Sequence, residues 1–323
     1  MSFHVPELLA IRDFLVIVAK EAGEIITSAK PSSADAITKK NTTDIVTATD
    51  KAVENLIATR LIARYPEYDF VGEESSFDAS KGIGPGPTWV VDPIDGTSNF
   101  VHGLPEVCVS LALVVARVPV VGVVYNPFLQ ELFSAARGAG AYHQQPTRHG
   151  GEPQRLPLNN TPLAGLRHAC VGIDFGSDRA GPNFALNLSV FATLAAAPAS
   201  SSSSFGGGGG GKGGRFAHSL RATNCASETV CRVAAGQQDC FWECGAWAWD
   251  VAAAWCVLTE AGGIMVDGHP GNWHPPIDNR RYLAVRPAEP ASGQAELVEE
   301  FWDVIGEGRS TFGPPAGQDG PLA

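Results

Sequence analysis

The sequence has no surplus of basic charge: 23 Lys and Arg stand against 34 Asp and Glu, a formal net charge of −11 over 323 residues. Nucleic-acid backbones and anionic membrane surfaces are bound by clustered cations that displace counterions, so neither is an expected partner. No apolar run approaches the length of a bilayer span. The N-terminal segment has no basic stretch ahead of its short apolar run Phe14–Ala19, and Lys20 and Glu21 close that run early, so no secretory signal is expected. The seven cysteines form no Cys-x-x-Cys pair, and no histidine lies among Cys225, Cys231, Cys240, Cys244 and Cys256, which argues against a zinc site. An odd number of thiols in a chain too large to need staples fits buried, reduced cysteines and a cytoplasmic setting. Lys212 sits in a Ser/Gly tract at 199–214, but no Ser or Thr follows it and no strand leads into it, so a phosphate-cradling loop is not supported. Such a tract cannot bury apolar surface and is expected to be a disordered insertion.

The hydrophobic fraction of 44% is ample for a large core. Leu8, Ile11, Leu15, Val18, Ala22, Ile25 and Ala29 recur at helical spacing and predict a helix over 6–30; Val53, Leu56, Ile57 and Leu61 predict another over 50–64. Short apolar runs rich in β-branched residues follow, at Phe70–Val71, Trp89–Asp92, Val107–Ala116, Val120–Tyr125 and Glu131–Ala135, and read as strands. From about residue 156 strands and helices alternate. Strands are expected at Val171–Asp174, Ile264–Val266 and Tyr282–Val285, and helices at Pro182–Leu194, Asp250–Ala261 and 292–305. Trp242, Trp247, Trp249 and Trp255 are read as core or subunit packing, since an acidic chain suits a base-stacking platform poorly.

The chemistry concentrates in acidic residues at strand ends. In Trp89-Val-Val-Asp92-Pro93-Ile94-Asp95-Gly96-Thr97 an apolar strand delivers Asp92, Pro93 stops the ladder, and Asp95 follows before a Gly-Thr turn. Two converging carboxylates repel one another at a cost of about 1–4 kcal/mol at a few ångströms, and a hard divalent cation resolves the conflict. Taken alone, the plain reading is a strand followed by an Asp-Gly turn. Glu73 and Glu74 follow a second short strand and would otherwise be solvated loop charges. Asp250 opens an apolar helix and would otherwise be its N-cap. His102, just beyond the turn, is read as non-catalytic.

Gly72-Glu-Glu-Ser75, Trp89 to Pro105 and Trp249-Asp-Val-Ala-Ala253, with Asp44 to Asp50 and Thr259-Glu-Ala-Gly-Gly263, resemble in order and spacing the inositol monophosphatase family. The resemblance spans roughly residues 8–310. It implies an α/β chain, α+β in its N-terminal half and α/β in its C-terminal half, folded as a layered αβαβα sandwich. Residues 1–150 would carry most metal ligands, and 151–315 would carry Asp250 and the substrate side, interrupted by the insertion.

By the same resemblance Glu73, Asp92 and the Ile94 carbonyl would hold one Mg²⁺. Asp92, Asp95 and Asp250 would hold a second, and a weaker third would lean on Glu73. Asp50 and Thr97, with Glu73, would orient or deprotonate the attacking water, and the Gly96 and Thr97 N–H groups would receive phosphate oxygens. Ala226, Glu243, Asp250 and Asp95 would face the substrate, and Lys39 matches a loop lysine near the third metal. Asn224 and Cys225 stand where the family usually has Gly followed by Ser or Thr, and Ser98 replaces a frequent Thr. The implied reaction is Mg²⁺-dependent hydrolysis of inositol monophosphate by a lithium-sensitive homodimer. The alternatives are another small polyol, sugar or nucleotide phosphate as substrate, or a binding paralogue without turnover.

Overall fold

Strict alternation along the apolar strands decides how the layers stack. The computed structural model describes residues 3–30, 37–38, 45–75, 82–198 and 213–314. Lys39, Asp44 and nearly all of the Ser/Gly tract lie outside the described residues.

Helix α1 (Val5–Ser28) is followed by a two-residue antiparallel pairing of β1 (Ile37–Thr38) with β2 (Ile45–Val46), and then by α2 (Ala48–Arg64). The next strands form a seven-stranded sheet in sequence order: β3 (Asp69–Gly72), β4 (Thr88–Asp95), β5 (Cys108–Val115), β6 (Val118–Asn126), β7 (Glu131–Ala136), β8 (Gly140–Gln144) and β9 (Gln154–Arg155). Only β3 and β4 run parallel; the other neighbours are antiparallel. A short helix α3 (Thr97–His102) connects β4 to β5.

The rest of the chain supplies β10 (Cys170–Ile173), α4 (Gly181–Ala195), β11 (Ser219–Arg221), α5 (Ala226–Ala234), β12 (Cys240–Cys244), α6 (Ala248–Glu260), β13 (Ile264–Asp267), β14 (Arg281–Val285) and α7 (Ser292–Ile305). Its sheet runs β11-β10-β12-β14-β13.

Trp89, Val91, Leu111 and Val123 turn one face of the large sheet toward Leu15, Val18, Ile57 and Leu61 of α1 and α2. Val90, Ala112 and Val124 turn the other face toward α5 and α6, which meet Phe241, Tyr282 and Ala284 of the second sheet on their far side. The opposite face of that sheet, with Val171, Trp242 and Leu283, packs on α4 and α7 through Leu186, Val190, Val298 and Phe301. The order helix, sheet, helix, sheet, helix is the expected αβαβα sandwich. One glycine permits a close approach between layers: a Cβ at Gly122 of β6 would lie 2.1 Å from the Ala253 carbonyl oxygen of α6. That approach seats α6, whose first turn carries Asp250, directly on the large sheet.

Two elements of the core were not expected from the sequence. Residues 226–234 form α5, a helix of nine residues, shorter than the window over which a helical period is read, and buried on both faces from Ala226 through Val230 to Ala234. Residues 240–244 form a central strand, with every residue buried on one side or the other.

Candidate active site

Each acidic side chain is positioned by an identifiable local device. All eight residues of β4 are buried, so the strand is held on both faces up to its end. Asp92 pairs with Ser110 and Asp95 with Cys108, so β4 carries one residue more than β5 across this stretch. That bulge falls at Pro93, which has no N–H for the ladder, and it swings Asp92 and Asp95 toward the same side. Asp92 Oδ1 accepts the Ile94 N–H at 3.0 Å. Gly96 then adopts φ of 91°, and a Cβ there would lie 2.6 Å from the Glu106 carbonyl oxygen, so the turn into α3 requires glycine.

Glu73 arrives on the neighbouring strand. Gly72 is in register with Val91, and the Glu73 N–H donates to the Val91 carbonyl at 3.2 Å, which sets Glu73 beside Asp92. The turn is held from below by Glu54 of α2, whose Oε2 accepts the Glu74 N–H at 2.7 Å. That carboxylate passes so close to Gly72 that a Cβ would come within 2.4 Å of it.

Asp50 and Asp250 occupy the same position in two helices. Asp50 is the third residue of α2 and accepts the N–H and hydroxyl of Thr47, the capping residue, which is why this helix begins at Ala48 rather than at 50. Asp250 is the third residue of α6, and its Oδ2 accepts the Trp247 N–H at 2.7 Å. It therefore caps from within the first turn and is not the N-cap residue itself. The Thr97 hydroxyl lies 3.1 Å from Asp50 Oδ1 and 3.0 Å from the Ile94 carbonyl, so its single proton is shared between them.

The start of α5 joins the two halves. The Ser227 N–H donates to Asp95 Oδ2 at 2.6 Å, and the Ser227 hydroxyl donates to the Asp250 carbonyl at 2.7 Å. Behind Asp95 the thiols of Cys108 and Cys225 lie 3.6 Å apart, and the Cys225 thiol reaches the Asp95 carbonyl. Asn224 takes a left-handed φ of 52°, a conformation that asparagine tolerates better than most residues, so its replacement of glycine preserves the turn.

These residues line one cavity of about 240 Å³: Glu73, Asp92, Ile94, Asp95, Gly96, Thr97, Ala226, Glu243 and Asp250 all face it. Asp50 reaches it only through Thr97. His102 is exposed and does not line it. Ser98, Asp174, Gly176, Arg179 and Asn224 also line the cavity. Of these, Asp174, Gly176 and Arg179 were not singled out from the sequence, and neither was Ser227 behind them. Asp174 ends the apolar run Val171-Gly-Ile in the same way that Asp92 ends Val90-Val91, a signal that could have found it. Trp247 and Trp249 stack with centroids 5.1 Å apart.

The electrostatics follow from burial. Asp92 is pushed well above the ordinary carboxylate range, first by desolvation and then by the charges of Glu73, Asp95 and Asp250. Burial raises Asp95 to about 7 against the hydrogen bonds from Ser227, and raises Asp250 to about 7 with Asp95 adding repulsion. Asp50 is raised by burial and held back by Thr47 and Thr97. Glu73, Asp92, Asp95 and Asp250 thus converge at a cost that protons or cations must relieve. All-oxygen donors of this kind suit a hard divalent ion such as Mg²⁺.

The sequence profile of the Inositol monophosphatase family matches residues 7–305. The chain is 40% identical over 273 residues to Inositol monophosphatase 2 of Saccharomyces cerevisiae, covering 83% of this chain and 85% of that protein. It is 35% identical over 334 residues to the Quinic acid degradation cluster protein x of Neurospora crassa, covering 92% and 94% respectively. Among solved structures, an inositol monophosphatase from Anabaena superposes with a TM-score of 0.67 at 26% identity, over 90% of this chain and 96% of that one.

Proposed function

Because the chain belongs to the inositol monophosphatase family, we propose that this phosphatase hydrolyses inositol monophosphate to inositol and phosphate in a Mg²⁺-dependent reaction. The observation that carries this reading is the meeting of Glu73, Asp92, Asp95 and Asp250 in one cavity with a Gly96-Thr97 turn on its wall. Glu73, Asp92 and the Ile94 carbonyl would hold one ion, Asp92, Asp95 and Asp250 a second, with a weaker third on Glu73. Bound Mg²⁺ supplies positive charge for the phosphate dianion and for the departing alkoxide, and lowers the pKa of water.

The remaining work falls to the chain. Thr97 and Asp50, with Glu73, hold the attacking water in line with the ester and take up its proton. The Thr97–Asp50 contact at 3.1 Å supports a relay in which the Thr97 hydroxyl gives its proton to Asp50 while accepting from the water. Backbone N–H groups of Gly96 and Thr97 receive phosphate oxygens. Ala226, Glu243, Asp250 and Asp95 border the alcohol portion. No covalent phosphoenzyme is required; positioning and charge supply the catalysis.

The chain works in the cytoplasm as a lithium-sensitive homodimer, its halves 1–150 and 151–315 meeting at the site. No described helix is long and apolar enough to cross a membrane. The Neurospora relative, named for a quinic acid degradation cluster, favours a second reading in which the alcohol is another hydroxylated ring. Phosphate release from inositol 1-phosphate and from a panel of polyol, sugar and nucleotide monophosphates, with and without Mg²⁺, tests the assignment. Release from inositol 1-phosphate that stops on chelation is expected. No release from any ester would favour a binding paralogue.

A further inference from the structure

Beyond the four acids assigned to metal, the cavity holds a further pair. Asp174 follows directly on β10, whose last residue Ile173 is in register with Trp242, so Asp174 emerges beside Glu243 of β12. Both line the cavity, and both are at least nine-tenths buried, with exposures of 3% and 8%.

Each is half used. Asp174 Oδ1 accepts the N–H groups of Thr223 at 2.9 Å and Asn224 at 3.1 Å, which anchors the turn leading into α5. Among the described residues, Asp174 Oδ2 and Glu243 Oε2 have no hydrogen-bond partner. Such oxygens carry a desolvation cost that a bound donor removes. Repulsion between the two, added to burial, raises Glu243 well above the usual carboxylate range. A guanidinium already acts on Glu243, that of Arg280, whose charge works against the rise, and Arg179 lines the same cavity. The need here is for neutral donors at close spacing rather than for another cation.

We propose that Asp174 is a specificity-determining residue that acts with Glu243 to read neighbouring hydroxyl groups on the alcohol portion of the substrate, selecting phosphate esters of ring polyols over esters without hydroxyls. The inference rests on the phosphatase reading above and names the substrate class of the same site. Adjacent ring hydroxyls present O–H donors a few ångströms apart, which matches two acceptors on neighbouring strands. An ester lacking them leaves both oxygens unpaired, and a site built for hydroxyls discriminates most strongly against that loss.

Asp174→Asn is the informative change, because the amide keeps a carbonyl oxygen for Thr223 and Asn224 and replaces only the free oxygen. The kcat/KM values of wild type, Asp174→Asn and Glu243→Gln are compared on inositol 1-phosphate and ethyl phosphate at saturating Mg²⁺. The wild-type preference for inositol 1-phosphate should fall about ten- to a hundredfold in either variant. Losses of equal size on both esters would reduce Asp174 to an anchor of the turn, and a shifted Mg²⁺ requirement would make it a cation site; either overturns the proposal. Should Asp174→Asn fail to fold, the wild type decides on ring-deoxygenated inositol phosphates, where unchanged kcat/KM overturns it. If neither ester releases phosphate, the hydrolase reading fails separately. Calorimetric binding of the same two esters then decides the pair, by whether the inositol ester binds at least tenfold tighter and loses that margin in the variants.

Discussion

The two ends of the cavity treat buried carboxylates differently. At the end built by β3, β4 and α6, backbone donors hold the acids before any ligand arrives: Asp92 has the Ile94 N–H, Asp95 the Ser227 N–H, and Asp250 the Trp247 N–H. At the end built by β10 and β12, Asp174 and Glu243 each keep an oxygen with no donor among the described residues. Fixed acids that still repel one another make a preorganised cation cage, whereas unpaired ones await a ligand that brings its own donors. In the proposed reading the first arrangement would serve a reaction common to many esters, and the second would set which ester is accepted.

The sharpest way to break the comparison is Asp95→Asn. The amide retains an acceptor for Ser227, so the fold should persist by circular dichroism, while Mg²⁺-dependent phosphate release should drop by on the order of 10² to 10³. Near-normal turnover would remove Asp95 from the cage. Thr97→Val keeps the shape of the turn but deletes the hydroxyl beside Asp50, and kcat should fall about a hundredfold with little change in KM. A change confined to KM would make Thr97 a binding group.

Mg²⁺, rather than pH alone, separates the two ends without mutation, since burial raises the carboxyls at both. Asp95 and Asp250 titrate near 7 in the fold against an ordinary value of 3.8. Between those values the metal-free folded state holds more protons than the unfolded chain, so its stability declines as pH rises from about 4 to about 7 and stays at the reduced level above. Thermal melts of chelated protein should therefore show a lower Tm at pH 7.5 than at pH 5. Added Mg²⁺ should raise Tm more at pH 7.5, where the cage is ionised. An equal rise at both values would mean that the cation binds elsewhere. The smallest effect belongs to Ser227→Ala, which leaves the N–H to Asp95 intact and removes the hydroxyl, with its bond to the Asp250 carbonyl and its weaker support of Asp95. A stability loss of about 1 kcal/mol in denaturant melts, with turnover changed only a few-fold, would show that the backbone does the holding.

Much of the acidic end built by β3, β4 and α6 was legible because its devices are local. An apolar run ending in Asp92, a proline that cannot continue the ladder and a glycine that opens the next turn lie within five residues. The amphipathic stripes of α1 and α2 were legible for the same reason, each burying one face. The boundaries that slipped were set by side chains reaching back along the chain: Thr47 moved the start of α2 to Ala48, and Asp250 proved to lie in the first turn of α6 rather than ahead of it.

Short elements packed on more than one side were harder to read: α5 has nine residues, fewer than the window over which a helical period is counted, and β12 has five. In α5 Ala226, Glu228, Val230 and Cys231 are all buried, on different faces of the helix. In β12 Phe241 and Trp242 point into different cores, while Glu243 turns to the cavity. Asp174 was passed over as the last residue of an ordinary strand, since nothing within its own segment shows that Glu243, sixty-nine positions later, emerges beside it.

The order of residues alone therefore determined the alternating strands, the long amphipathic helices and the set of acids able to hold a divalent ion, because each depends on neighbours a few positions apart. Only the tertiary structure decided that Ser227 ties Asp95 to Asp250, that Gly122 lets α6 settle on the large sheet, and that Asp174 stands with Glu243. Those relations join segments far apart in the chain, and they exist only once two sheets and three helical layers have closed around a common cavity.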